Sequence, residues 1–370
     1  MNCKKVSEGL GKFEVCEGLF YNERMGPCRD LSSLWVGTLP ELGILVDGFS
    51  ASGIRGIRYK LENPNVGVLK FFDRSGRACE NIGRNLKLNG VEGEVVCANS
   101  NKFFVENSNF DFCEIDPFGS PVPFLDMLFF ADYKQKERWI SVTATDAAVL
   151  CGAHKEACVK NYFSKPLNCE FCHENGLRIL LGHIARSAAK NGWELQPQFC
   201  ISHRHYFKVM ARIAKSADMA GKAVEKSKFY VQFCDNCLYR ELGGGFPAQV
   251  CPQCGGKIRW GGPLWGGRLF EKGVVEKMEG LLAQREYLDA KGLAKFLGRA
   301  KEEADAPALY YDLHEICSKF KCKPMQIDET VMRLKAAGHF ACRTTFRDTA
   351  VRTSASAMEI AEIMRLGSKA

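Results

Sequence analysis

The chain's 370 residues exceed the roughly 100–200 usual for one domain, and 46% hydrophobic against 25% charged residues, with no low-complexity tract, exclude a disordered or fibrous chain. The opening MNCKKVSEGL lacks the apolar run of a secretory signal, and even VPFLDMLFFA is too short and too interrupted by Asp126 to span a bilayer, so a cytoplasmic protein with no membrane attachment is expected. The net charge of +8 is uneven: residues 151–260 carry 16 Lys/Arg against 8 Asp/Glu, a surplus that suits a polyanion such as nucleic acid and equally a solvated basic face.

From residue 44 the pattern alternates strand, turn and helix. Ile44 to Asp47 reads as a buried strand, a helix starts near Gly53, VGVLKFFD is a second strand ending at Asp73, and the helix after it stops at Gly90. The strands EVVC, FDFCEID and WISVTAT follow, with an apolar helix over Phe124 to Ala131. Such alternation predicts a Rossmann-like α/β fold, a mostly parallel sheet whose ligands bind at the carboxyl ends of the strands. Beyond a helix over Gly176 to Lys190, PQFCISH and YFKVMARI read as an antiparallel edge. Residues 229–258 hold spaced cysteine pairs, and the glycine-rich WGGPLWGG places a domain break near residue 260. Residues 261–370 then read as a smaller α+β, winged-helix-like domain: helices, a Gly stop and a basic β-rich tail.

Asp47, Gly48, Gly53 and Gly56 surround the first strand-to-helix turn, and Asp73 follows Gly53 by twenty residues at the end of the next strand. Glycines admit a ligand close to the backbone, and an acid at that place accepts hydrogen bonds from ribose hydroxyls. The turn is not GxGxxG, so a phosphate-free adenosine cofactor such as S-adenosylmethionine and another nucleotide remain alternatives. Asp116 ends the strand FDFCEID and opens Asp-Pro-Phe-Gly. A carboxylate and a neighbouring carbonyl there can accept both N–H groups of a nucleobase amine, whose lone pair is otherwise delocalised into the ring. Pro117 fixes the turn, Phe118 offers a face for an extruded base and Gly119 leaves room. The plainer alternative is a turn acid capping the next helix, with Phe118 in the core.

Eighteen cysteines in a chain able to bury a core without staples are expected to be mostly buried thiols. Cys234, Cys237, Cys251 and Cys254 differ: C-x2-C-x13-C-x2-C is zinc-ribbon spacing, and a four-sulfur shell leaves Zn²⁺ no open position, hence a structural role. Lys222, Lys226, Lys228, Arg240, Lys257 and Arg259 flank it and serve either phosphate contact or solubility. Cys169 and Cys172, with His173 adjacent, form a lone CxxC without a second pair and read as buried structural thiols; His154, His183, His203 and His205 lack a partner pattern.

Several long segments in order carry a resemblance: FYNERM (20–25), CRD (28–30), SASGIRGIRY (50–59), DPFGSP (116–121), VTATDAAVLCGAH (142–154), CHENGLRILLGHIAR (172–186) and FRDTAVRTSA (346–355). Over most of its length the chain resembles the tRNA guanine-N2 dimethyltransferases. That resemblance implies a class I methyltransferase domain over 1–260, a tRNA-binding domain over 261–370, S-adenosylmethionine as donor and tRNA as partner, with no obligatory protein partner. It implies cofactor contacts at Arg29, Arg55, Asp73, Asn99 and Ser100, catalysis at Asp116, and a target base flanked by Phe20 and Phe118. Family members often carry an acid in the loop where this chain has CANSN, so the role of Asn99 is open. Arg343, Arg347 and Arg352 reach substrate or line a domain contact.

Overall fold

An antiparallel hairpin begins the protein: β1 (Cys3–Glu8) and β2 (Gly11–Cys16) pair so that Cys3 lies opposite Cys16, and the two sulfurs are bonded. This pair departs from the expectation of free thiols because cross-strand register sets the two Cβ atoms face to face, a proximity that sequence separation hides. A computed structural model gives the structure and describes residues 3–130, 135–203 and 205–367.

Helix α1 (Gly26–Gly37), with proline in its first turn, leads to the central sheet. Its elements are β3 (Leu42–Gly48), α2 (Ile54–Glu62), β4 (Val66–Asp73), α3 (Gly76–Asn89), β5 (Glu94–Cys97), α4 (Ser100–Glu106), β6 (Phe112–Ile115), α5 (Val122–Phe130) and β7 (Glu137–Ala144). The predicted helix over 124–131 is α5, and Ala131 lies outside the described residues. Local chemistry sets the boundaries. Gly53 is left-handed at φ 74° immediately before α2, and Gly90 at φ 61° closes α3 with its N–H on Leu86 and Lys87 carbonyls.

After α6 (Ala147–Leu150), α7 (Lys155–Tyr162) and α8 (Cys172–Lys190), the long hairpin β8 (Trp193–His203) and β9 (Tyr206–Lys215) completes a seven-stranded sheet of order β5-β4-β3-β6-β7-β9-β8. The first five are parallel and the last two antiparallel, as the runs PQFCISH and YFKVMARI predict. All four β6 residues are buried, the signature of a strand covered on both faces. Strand order reverses between β3 and β6, which opens a crevice at their carboxyl ends.

Helix α9 (Ala217–Lys226) leads to a small sheet, β10 (Phe229–Phe233), β11 (Arg240–Gly243) and β12 (Arg259–Leu264), ordered β11-β10-β12. The expected break at residue 260 cuts β12, whose pairing with β10 runs on to Leu264, so the small sheet extends past it. The remainder is α10 (Lys272–Leu282), α11 (Ala290–Glu303), β13 (Tyr311–Asp312), α12 (Leu313–Phe320), α13 (Ile327–Ala336), β14 (Ala341–Arg343), β15 (Ala350–Thr353) and α14 (Ala357–Gly367), with strand order β13-β15-β14. Arg285, just past α10, donates to Ser33 Oγ at 3.2 Å and Asn63 Oδ1 at 2.6 Å, which docks these helices on α1 and α2. No described helix is long and apolar enough to cross a membrane.

Candidate active site

A cavity of about 850 Å³ fills the crevice and collects most of the singled-out residues: Asp47, Arg55, Asp73, Asn99, Ser100 and Asp116. Each stands at a strand end or the turn after it. Asp73 closes β4, and its Oδ2 accepts from Ala51 N–H at 3.1 Å while Oδ1 accepts from Ser75 N–H at 2.9 Å. The carboxylate is thus fixed against two turns, and each oxygen keeps a further acceptor site for a hydroxyl in the cavity. Asn99 caps α4 by accepting from Asn101 N–H at 2.9 Å, and Ser100 behind it is buried.

Asp47 is only 2% exposed, and its carboxylate Oδ2 accepts from Gly56 N–H at 2.9 Å. Gly56 is required there because a Cβ would meet Asp47 Oδ2 at 3.0 Å and the Phe71 ring at 2.6 Å. Burial pushes the Asp47 carboxyl up to about 7, with nearby Glu114 and Asp116 adding to the rise and Arg55 opposing it. A desolvated acid at the cavity wall is short of positive charge, and a cationic ligand would supply it. Arg55 adds a complementary feature, a buried Nε with no hydrogen-bond partner. These two groups fit a ligand with both a cation and an acceptor, as the amino-acid and sulfonium parts of S-adenosylmethionine provide.

Asp116 forms an ion pair with Arg55 Nη1, which also reaches Glu114 Oε1 at 3.2 Å. Beneath them Glu114 is fully buried and accepts from Tyr59 at 3.0 Å, Ser141 at 3.1 Å and Lys208. Burial alone would raise the Asp116 carboxyl, but Arg55 and Lys208 outweigh it and hold the group below its ordinary value. Asp116 is therefore an ionised acceptor at neutral pH. Sequence reasoning missed Glu114 and Lys208; their only signal was a charge inside each of the apolar runs FDFCEID and YFKVMARI.

Phe118 is 74% exposed, which removes the alternative that it belongs to the core. Its ring meets Phe20 edge to face with centroids 4.8 Å apart, over the mouth of the cavity. Gly119 adopts φ 78° with open space where a Cβ would stand, and Thr145 anchors it by accepting its N–H at 2.6 Å. Across the mouth the β8–β9 turn contributes His203, His205 and Tyr206, which carried no sequence signal because only the antiparallel hairpin brings them there. Arg29 borders the cavity with Nε and Nη2 turned onto Glu8 at 2.6 Å each, so it also anchors the N-terminal hairpin.

The four spaced cysteines converge outside the cavity. Cys234 Sγ lies 3.5 Å from Cys254 Sγ, Cys237 Sγ 3.5 Å from Cys251 Sγ, and all four sulfurs fall within 4.8 Å of one another. Ligands about 2.3 Å from one tetrahedral ion are about 3.8 Å apart, so the set fits a Zn²⁺ ion. The C-terminal arginines are committed to carboxylates. Arg343 pairs with Asp328 at 2.6 Å and Arg347 with Asp312 at 2.6 Å. Arg352, 2% exposed, is held between Glu303 and Glu174.

The family model for N2,N2-dimethylguanosine tRNA methyltransferases matches residues 3–365. Curated relatives include a tRNA (guanine(26)-N(2))-dimethyltransferase of Archaeoglobus fulgidus, 37% identical and covering 98% of both chains. Another, from Methanobrevibacter smithii, is 32% identical over 98% of this chain and 97% of its own. Among solved structures, Trm1 from Pyrococcus horikoshii in complex with S-adenosyl-L-methionine superposes with a TM-score of 0.87 at 32% identity, covering 98% of this chain and all of that one.

Proposed function

Since the chain belongs to the N2,N2-dimethylguanosine tRNA methyltransferase family, we propose that Asp116 is the carboxylate that presents the guanine amine for methylation. The protein is an S-adenosylmethionine-dependent enzyme that methylates the exocyclic N2 of a tRNA guanine, and position 26, the site named for its relatives, is the proposed target. When bound, the cofactor supplies an electrophilic methyl group.

The observation that carries the role of Asp116 is its place in the cavity lining, ion-paired with Arg55, which keeps it ionised. An ionised carboxylate accepts one N–H of the amine, and in this reading a neighbouring backbone carbonyl of the Asp116-Pro117 corner accepts the other, which orients the nitrogen lone pair. A weak base suffices afterwards, because an alkylated N2 carries positive charge and loses its proton readily. Asp47, Asp73, Asn99, Ser100 and Arg55 hold the cofactor, with Asp73 on the ribose hydroxyls and Arg29 securing the wall. Phe20 and Phe118 meet edge to face over the cavity, and an extruded guanine enters by parting these two exposed rings. The open space at Gly119 leaves room for the first methyl while the second is added.

The four-cysteine cluster holds a structural Zn²⁺ and makes β10–β12 a zinc ribbon. Its outer face carries Phe246, 92% exposed and stacked on Tyr230, with Trp260 edge-on to Tyr230 and Lys165 Nζ 3.7 Å over the Trp260 ring. Rings exposed amid cations in the basic part of the chain suit unpaired nucleotides of the tRNA. The C-terminal order helix, short strand, two helices, hairpin supports reading it as a winged-helix-like module that makes a second tRNA contact. Incubating the protein with labelled S-adenosylmethionine and an unmodified tRNA transcript, then identifying the nucleoside by mass, tests the reading: dimethylguanosine at position 26 is expected, and methyladenine or no transfer refutes it.

A further inference from the structure

Methyl transfer leaves one motif unused, Cys169-Glu170-Phe171-Cys172-His173, whose lone CxxC lacked a second pair in the sequence. The fold supplies the missing thiol. Cys151, at the end of α6, is brought beside the start of α8, so that Cys151 Sγ, Cys172 Sγ and a ring nitrogen of His173 all lie within 4.8 Å of one another. Cys172 Sγ is 3.7 Å from His173 Nδ1, close to the separation of about 3.6 Å expected between sulfur and nitrogen ligands of one tetrahedral Zn²⁺.

Packing holds the three together. A Cβ on Gly176, one turn into α8, would meet the Phe207 ring at 3.0 Å and the Leu150 backbone at 3.2 Å, so α6 and α8 approach at backbone distance. Gly152, at φ 97°, lets the chain turn past Asn168 immediately after Cys151. Cys172 N–H donates to Cys169 O at 3.0 Å, closing the CxxC turn, and Cys169 Sγ donates to Leu167 O at 3.6 Å. All three ligand residues are half-buried, open enough for an ion to enter.

We propose that Cys151, Cys172 and His173 form a second metal site for a thiophilic divalent cation of the Zn²⁺ class, distinct from the four-cysteine ribbon. Binding displaces the thiol protons to solvent and changes no oxidation state. Its place in the fold gives it a purpose. Asp146, at the start of α6, follows Thr145, which anchors Gly119 of the catalytic corner by two hydrogen bonds, 2.6 Å from Gly119 N–H and 2.9 Å to Gly119 O. At the other end Glu174 of α8 holds Leu309 N–H at 3.1 Å and Arg352. The ion would clamp the segment behind the catalytic corner to the helix that docks the C-terminal domain.

Zinc content of the full chain, purified without chelator and measured by elemental mass spectrometry, tests this. Two equivalents are expected, falling to one in Cys151→Ser and in Cys172→Ser, while Cys234→Ser reports the ribbon alone, so failure of either site is seen separately. One equivalent in the unmodified chain that disappears in Cys234→Ser, or two equivalents retained in a Cys151→Ser/Cys172→Ser double variant, overturns the proposal. Because a serine variant that misfolds would also lose metal, Co²⁺ titration of the unmodified chain provides a second measurement. The two-thiolate site should add a tetrahedral visible spectrum with about half the per-ion sulfur charge-transfer intensity of the four-thiolate ribbon. A second equivalent showing only the weak spectrum of hydrated Co²⁺, or a Cys151–Cys172 disulfide in the metal-treated protein, also overturns it.

Discussion

Asp116 and Asp47 stand in one cavity, yet their surroundings push them in opposite directions, and that contrast makes their roles separable. Arg55 and Lys208 keep Asp116 ionised, so its contribution is orientation of the amine. Asp116→Ala is expected to lower kcat by roughly 10²–10⁴-fold, the usual range for a positioned acid–base group, with KM for tRNA nearly unchanged; a retained kcat in single-turnover assay removes the residue from this role. Asp47, pushed up to about 7 by burial, takes up a proton as pH falls through neutrality, and the neutral acid no longer attracts a cationic ligand. Cofactor affinity measured calorimetrically should therefore weaken below about pH 7, by up to tenfold per pH unit, and the dependence should vanish in Asp47→Asn. Both acids were legible in the sequence because each ends an apolar strand. Their tuning was not, since Lys208 on β9 and Arg55 on α2 reach Glu114 and Asp116 only once the sheet has formed.

At the scale of elements, the parallel strands and their helices were legible because buried strands read as continuous apolar runs bounded by glycine. What escaped was everything decided by pairing between distant segments: the Cys3–Cys16 bond, the Cys151–Cys172 approach, and the run of β12 past residue 260. The aromatic face of the ribbon belongs to the same class. Tyr230, Phe246 and Trp260 are spread over thirty residues, and only the folding of β10–β12 gathers them. If these rings stack on tRNA bases, Phe246→Ala and Trp260→Ala should each raise KM for tRNA by roughly tenfold, as a stacking loss of about 1–3 kcal/mol implies, without changing cofactor affinity. Unchanged KM in the double variant would assign the face to some other use.

For the molecule as a whole, the decisive contact is a buried charge cluster joining the methyltransferase sheet to the C-terminal helices. The sequence left Arg352 open between substrate and domain contact, because an arginine in a basic tail looks the same in either role. In the fold Arg352 lies buried between Glu174 of α8 and Glu303 of α11, and Arg178 adds its Nε to Glu174 at 2.9 Å. Burial would raise Glu174, but Arg352 and Arg178 outweigh it and bring the carboxyl down to about 2 from an ordinary 4.5. A depressed acid pKa contributes stability that is full above about pH 4.5 and drains away as pH falls toward 2, so acid should loosen the domain contact in that window. Arg352→Met leaves Glu303 without the cation it pairs with while Glu174 keeps Arg178, a loss expected to cost about 3–5 kcal/mol. Hydrogen exchange should then show α8, α11 and β15 opening together at a pH where the unmodified protein is closed. Cofactor affinity should persist, since the crevice between β3 and β6 does not depend on this contact, while KM for tRNA rises. If the variant instead keeps its exchange protection and its tRNA KM at neutral pH, the cluster does not govern how the two parts of the enzyme hold together.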